Sequence, residues 1–416
     1  MTRIILSQIF VFPVLLIMLL AQNHPVSAQS IEIQLHQVEE LSEQFSPYWQ
    51  QFENRLEYNT LGEQAETARL NPSIAYDLEF LGDGSQSEYE HYLYLQKAFR
   101  TPGHYRNLKE RRDARIQLLQ YNLRSERDEW LSATRFGFIR ILLGKREIEI
   151  LDDLKSRIAG LTEVSAARAE TGEESLLDDQ LLQMSQYQLQ TRIEERKVEI
   201  DRLVVLWRNR MGINEQTEII FSGDIDDIAL QLPGKQDMLT FLELSPLLRG
   251  YQQAVDAAAL EESVARSARI PSIELTAGYK QLNPNWRGFL FGISVPLPLL
   301  SANSESISQA QALQRIEQTR LDFVQKEKNQ ITLQLLDELR HYESILDNFP
   351  EYLHNKETFL NRLISSYEEG TLSLSEFLNS LNMMADTYQT RFSQLTEYYG
   401  IASELEALTG QEYIIQ

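Results

Sequence analysis

Two short stretches of the chain set the same chemical groups at the same spacing. In TGEESLLDD, Gly172 is followed three residues later by Ser175 and six later by Asp178. In EEGTLSLSEF, Gly370 is followed by Ser373 and Glu376 at the same intervals. A glycine with a hydroxyl and a carboxylate one turn on suits a reversal between helices, with acids near a helix start. Bond-making chemistry finds no comparable pattern. There is no cysteine, which excludes disulfides, thiolate metal sites and a Cys nucleophile. His24, His36, His91, His104, His341 and His354 are scattered without ligand spacing and read as surface residues. The acidic run at Asp224, DIDDIA, lacks the glycine and distal glutamate of a calcium loop and reads as a linker. No Gly-x-Ser-x-Gly, His-Glu-x-x-His, phosphate loop or dinucleotide fingerprint occurs. The expectation is a non-enzyme with no cofactor and no metal. A formal net charge of −22 argues against nucleic acid, because phosphate binding needs a basic face.

The paired stretches belong to a longer repetition. Pro72 and Pro271 stand 199 residues apart, as do Pro47 and Pro246. Gly172 and Gly370 stand 198 apart, as do Gly212 and Gly410. Four ordered landmarks agreeing to one residue predict two structural repeats, 29–232 and 233–416. Ser46-Pro47 and Ser245-Pro246 read as helix N-caps with proline at the first helical position. Those helices run to about Leu70 and Ile270, where Pro72 and Pro271 stop them and mark the junctions with alternating stretches. Ile74, Tyr76, Leu78 and Phe80 oppose Ala75, Asp77 and Glu79. In the second repeat Ile273, Leu275, Ala277 and Tyr279 oppose Glu274, Thr276, Gly278 and Lys280.

Strands are predicted over about 73–81 and 89–99, and again over about 272–280 and 288–296. Each pair forms a hairpin whose strands are long enough, when tilted, to cross a bilayer. Aromatic residues crowd both hairpins, consistent with ordinary strand propensity or with membrane-interface girdles. Long helices are predicted over 103–169, 174–211, 303–368 and 373–409. The stretch up to Tyr367 would extend about 100 Å as one helix, with Pro350 as its point of interruption. The return helix carries Phe377, Leu381, Met384, Tyr388, Phe392, Leu395, Tyr399 and Ala402 at coiled-coil spacing. Met184, Met383 and Met384 read as packing residues of such seams.

The N-terminus carries Arg3, an apolar run and Val26-Ser27-Ala28, which predicts a signal peptide over 1–28 and an exported chain. The alternative is an uncleaved membrane anchor. Without cysteine there is no residue for N-terminal lipidation. Nothing after Gln29 is apolar enough for a membrane helix, so any insertion must use strands. Four strands cannot close a barrel, and an open sheet edge is not tolerated in lipid. Several chains must pool their hairpins, and three would supply twelve strands.

On these features the chain resembles the TolC-like outer-membrane efflux factors. The resemblance rests on the duplicated helix–hairpin–long-helix layout, on SVPLPLLSAN after the second hairpin, and on SYEEGTLSLSEFL around Gly370. Its layout is most similar to the heavy-metal and cation efflux branch. The resemblance implies a mainly α fold with a membrane β-barrel portion: a homotrimer with a 12-stranded barrel in the outer membrane of a Gram-negative bacterium and an α-helical periplasmic tunnel. It implies an exit duct contacting outer-membrane lipid and docking onto a periplasmic adaptor and a proton-driven inner-membrane pump. It further implies a periplasmic gate in which Tyr367 bonds toward Asp178 of the neighbouring helix pair and Glu376 points an acid at the axis. Gly172, Ser175, Gly370 and Ser373 would form the helix-turn tips. Asn379 and Leu372 depart from the acid and base usual in this family near the gate. The competing reading is a periplasmic adaptor or coiled-coil scaffold of an export system, with a single helical hairpin between compact β-rich domains.

Overall fold

The computed structural model describes residues 30–82, 87–171, 176–282, 286–297 and 303–415. The predicted signal peptide, Gly172 and Ser175 lie outside the described residues. The chain runs β1 (Ser30–Ile33), α1 (Val38–Phe45), α2 (Pro47–Glu66), β2 (Ser73–Gly82), β3 (Ser87–Arg100), α3 (Pro102–Thr171) and α4 (Leu176–Met211). It continues through β4 (Glu218–Phe221), β5 (Ala229–Leu230), α5 (Lys235–Leu244), α6 (Pro246–Ser267), β6 (Ser272–Leu282) and β7 (Trp286–Ser294). The last elements are α7 (Ser304–Asp347), α8 (Glu351–His354), α9 (Lys356–Glu368), α10 (Leu374–Thr409) and β8 (Ile414–Ile415).

The 70 residues of α3 extend about 105 Å at 1.5 Å per residue, and α4 returns along it for 36 residues. The segment 303–368 is three helices. Helix α7 stops at Asp347, proline at position 350 supplies no backbone N–H to continue it, and Asn355 caps α9 by accepting from Thr358 N–H at 3.2 Å. Both proline-led helices begin alike. Ser46 Oγ accepts from Tyr48 N–H and Ser245 Oγ accepts from Leu248 N–H, each at 3.3 Å.

The ends of α4 and α10 meet those same starts. Gly212 and Gly410 both take φ of +66°, the left-handed conformation that ends a helix without Cβ strain. A Cβ on Gly212 would lie 2.6 Å from Pro47 Cδ, and one on Gly410 would lie 3.1 Å from Pro246 Cδ. Residues spaced 199 and 198 apart in sequence thus make matching contacts.

The main core gathers where these helices cross two small strand pairs, β1 parallel to β4 and β5 antiparallel to β8. Phe221 of β4 packs between Phe138 and Trp207, with ring centroids at 5.3 and 5.0 Å. Phe138, Leu143, Leu336, Leu339 and Phe377 are fully enclosed. Met384 is buried in this core, whereas Met184 and Met383 are exposed on the single chain. His104, read from the sequence as a surface residue, is buried between α3 and the end of α6, with Nδ1 3.0 Å from Ser267 Oγ.

Candidate functional site

The four long strands form one antiparallel sheet in the order β2-β3-β6-β7. Among the described residues, the outer edges of β2 and β7 have no strand beside them. All four helices attached to the sheet, α2, α3, α6 and α7, lie at one end of it, and the paired ends Gly82 with Ser87 and Leu282 with Trp286 lie at the other.

The alternation is reversed relative to a soluble sheet. Ile74, Tyr76 and Phe80 on β2 align with Leu95, Leu93 and Tyr89 on β3, and these apolar residues are exposed. The face continues through Tyr279 and Ala277 to Phe289 and Phe291, which are 81% and 79% exposed. The polar face is the more enclosed one. There Glu90 binds Lys280 Nζ at 2.5 Å and accepts from the Tyr92 hydroxyl at 2.5 Å. Lys280 also donates to Tyr92 Oη at 3.0 Å, and Tyr94 donates to Asp77. Water solvates that face and apolar matter suits the other, the pattern of a barrel wall seen from lumen and lipid. Glu90, Tyr92 and Tyr94 had a sequence signal, since YEHYLYLQ places them on alternate positions.

Pro72 and Pro271 each immediately precede a strand, β2 at Ser73 and β6 at Ser272. Proline has no N–H to leave unpaired, and it biases the preceding residue away from the helix. The two junctions are tied to the end of β3. Thr101 N–H donates to the Pro271 carbonyl at 3.0 Å and Thr101 Oγ1 to that of Ile270 at 2.8 Å. Arg100 donates to the carbonyls of Ala68 and Glu66 at 3.0 and 2.8 Å.

At the far end of the helices, Gly370 adopts φ of +71° and closes α9, its N–H donating to the Tyr367 carbonyl at 3.0 Å. Ser373 then caps α10. Its Oγ accepts from Glu376 N–H at 3.3 Å, while its own N–H donates to Glu376 Oε2 at 2.9 Å. The Ser373 hydroxyl also donates to Glu376 Oε2 at 2.6 Å, and these bonds to Ser373 hold the carboxyl below its usual range. Glu376 therefore spends its charge on the helix start, a duty its Ser-x-x-Glu spacing could have signalled. The Tyr367 ring stacks on Phe377 at 5.3 Å between centroids. Asp178 lies half-buried in the first turn of α4 beside Asp179. Among the described residues no cluster of His, Asp or Glu is arranged to hold a metal ion, and no helix is long and apolar enough to cross a membrane.

No known family profile matches the sequence, and no curated protein does. Solved structures match over nearly the whole chain. CusC, described in crystal structures of folding and transmembrane channel formation, is 15% identical with a TM-score of 0.76, covering 94% of this chain and 95% of that one. The CmeC outer membrane channel of Campylobacter jejuni is 11% identical with a TM-score of 0.72, covering 91% and 86%. The open-state MtrE outer membrane channel of Neisseria gonorrhoeae is 13% identical with a TM-score of 0.70, covering 93% of each chain. The chain has the fold of the TolC-like outer-membrane efflux channels.

Proposed function

We propose that this protein is the outer-membrane exit duct of a tripartite efflux system. The observation that carries the reading is a sheet with its apolar face outward, its polar face the more enclosed and, among the described residues, both edges unpaired. Ten residue steps separate Tyr89 from Phe99 along β3, about 34 Å of strand. Tilted by about 40°, that length spans about 26 Å, close to the apolar band of an outer-membrane barrel. An unpaired edge in lipid costs several kcal/mol per orphaned group, so the β7 edge of one copy must pair with the β2 edge of the next. Three copies close twelve strands. The same assembly covers the apolar stripe on α4, where Leu177, Met184, Val198 and Val205 are exposed at multiples of seven. An adaptor or scaffold, the other reading the sequence left open, has no use for an apolar sheet face turned outward.

In this reading the chain is an internal duplication exported by its signal peptide, and Pro72 and Pro271 are where it passes into the membrane. The helices form a periplasmic tunnel whose tips, at Gly172, Ser175, Gly370 and Ser373, meet the adaptor of an inner-membrane pump. Tyr367 and Asp178 of adjacent helix pairs form the closure, and Glu376 adds negative charge at the mouth while capping α10. A few bonds of about 1 kcal/mol each hold a gate that adaptor binding can open.

The test combines fractionation, an unboiled SDS gel and planar bilayers. The duct predicts an outer-membrane trimer with measurable conductance, raised by Asp178→Ala with Tyr367→Phe. Soluble periplasmic monomer would end the duct reading, and unchanged conductance in the double variant would end the gate assignment alone.

A further inference from the structure

Among the described residues the outward apolar face of the sheet carries two cations, Arg287 near the hairpin end and Lys97 at the other end. Lys97 shares that face with Leu95 and Phe99, aligned with Leu275 of β6 and, beyond it, Ile293 of β7. These residues and Phe291 line a shallow groove of about 550 Å³ open to the outside. Lys97 aligns one step past the start of β2, so it stands at the helical end of the sheet. Its ammonium donates to the Leu70 carbonyl and lies 5.9 Å from the Phe99 ring. Leu70 directly follows Arg69, which is exposed on the same loop. Arg100 reaches the same loop through the Ala68 carbonyl.

Three cations therefore gather on one short loop in a chain of net charge −22. Among the described residues none of the three is paired with a carboxylate, whereas nearby Arg111 and Arg115 are paired with Glu66 and Glu261. Burying an ammonium in hydrocarbon is costly, and a lysine on a lipid face normally lifts its charge to the headgroup level. Here that level holds further positive charge and an apolar groove directly beside it.

We propose that Lys97 and Arg69, with Arg100 behind them, form a binding site for an anionic phospholipid of the periplasmic leaflet. The phosphate would sit on Lys97 and Arg69, and one acyl chain would lie in the groove against Leu95, Phe99, Leu275 and Ile293. The inference rests on the membrane reading of the sheet. Charge complementarity identifies the occupant, since the groove alone would take any lipid. A zwitterionic headgroup carries its own ammonium and gains less from a cation cluster, while an anionic one gains about fivefold in association per cation.

The test reconstitutes the full-length protein into phosphatidylcholine vesicles containing spin-labelled phosphatidylglycerol or spin-labelled phosphatidylcholine and measures the motionally restricted fraction of each. The expected result is a phosphatidylglycerol preference of about fivefold or more at low salt, falling toward one at high salt. Lys97→Gln with Arg69→Gln should abolish it, while Lys97→Arg should retain it. Equal association of both lipids with the wild-type protein would overturn the site, as would a preference that survives in the double variant. If the double variant does not insert, loss of preference in Arg69→Gln alone decides the matter. A chain that enters neither vesicle refutes the membrane reading itself, whereas insertion without preference refutes only the lipid site.

Discussion

Glu406 lies on α10 with only 4% of its surface exposed, and its carboxylate holds the C-terminal strand in place. Oε1 accepts from Tyr413 N–H at 2.8 Å and from Ile414 N–H at 2.9 Å. Ser132 Oγ approaches Oε2 at 3.3 Å, and Arg135 lies 3.8 Å away with its own side chain 8% exposed. Glu406→Ala would leave two buried N–H groups without an acceptor, at about 1–3 kcal/mol each. Removing one member of a buried ion pair costs about 3–5 kcal/mol. Arg135 keeps Glu412 at 2.8 Å and the Ile414 carbonyl at 2.6 Å, and a cavity of about 230 Å³ beside it has polar walls that water can use. These compensations place the expected loss near 3 kcal/mol, or about 100-fold faster exchange of the Tyr413 and Ile414 amides. Glu406→Gln keeps an acceptor oxygen and should lose about half as much. The assay is hydrogen–deuterium exchange on the full chain in detergent, followed peptide by peptide. Exchange of Tyr413 and Ile414 within about threefold of wild type would refute the argument that this carboxylate anchors β8.

Ser373→Ala removes the reciprocal cap of α10 and should cost about 1 kcal/mol, read as faster amide exchange over 373–377 with the far end of α10 unchanged. Gly212→Ala meets both positive φ and the Phe45 carbonyl, 2.8 Å from the new Cβ, so it should lower thermal stability more than Gly410→Ala, which has its nearest neighbour at 3.0 Å. Burial, followed by the charges of Arg100 and Arg111, pushes His104 below the usual histidine range. Its contribution to stability is then present above the unfolded-chain histidine value and is lost as pH falls through the lower folded value. Unfolding midpoints measured across that acidic window should flatten in His104→Gln, and an unchanged slope would show that another group dominates.

The order of residues carries the local structure because the signals are local. Ser-Pro starts, positive-φ glycines and period-2 apolar stretches act over a few residues, so helices joined to strand hairpins can be read before any packing is known. The break at Pro350 is legible for the same reason. Which side of the sheet meets water is a different matter. Ile74 and Phe291 would read identically as the core of a soluble sandwich, and their exposure follows from the sheet's position beyond the ends of the helices.

The polar network of Glu90, Tyr92 and Lys280 spans two strands of different hairpins, nearly two hundred residues apart. Only the β3–β6 register, which sets Tyr92 opposite Lys280, assembles it. The burial of His104 against Ser267 and the gathering of Lys97, Arg69 and Arg100 on one loop depend on the same strand ends meeting. The sequence by itself determined which segments are helix, strand and turn, since propensity and capping are properties of neighbours along the chain. The tertiary structure decided which faces are buried and which charges meet, because those depend on distances that close only when remote segments pack.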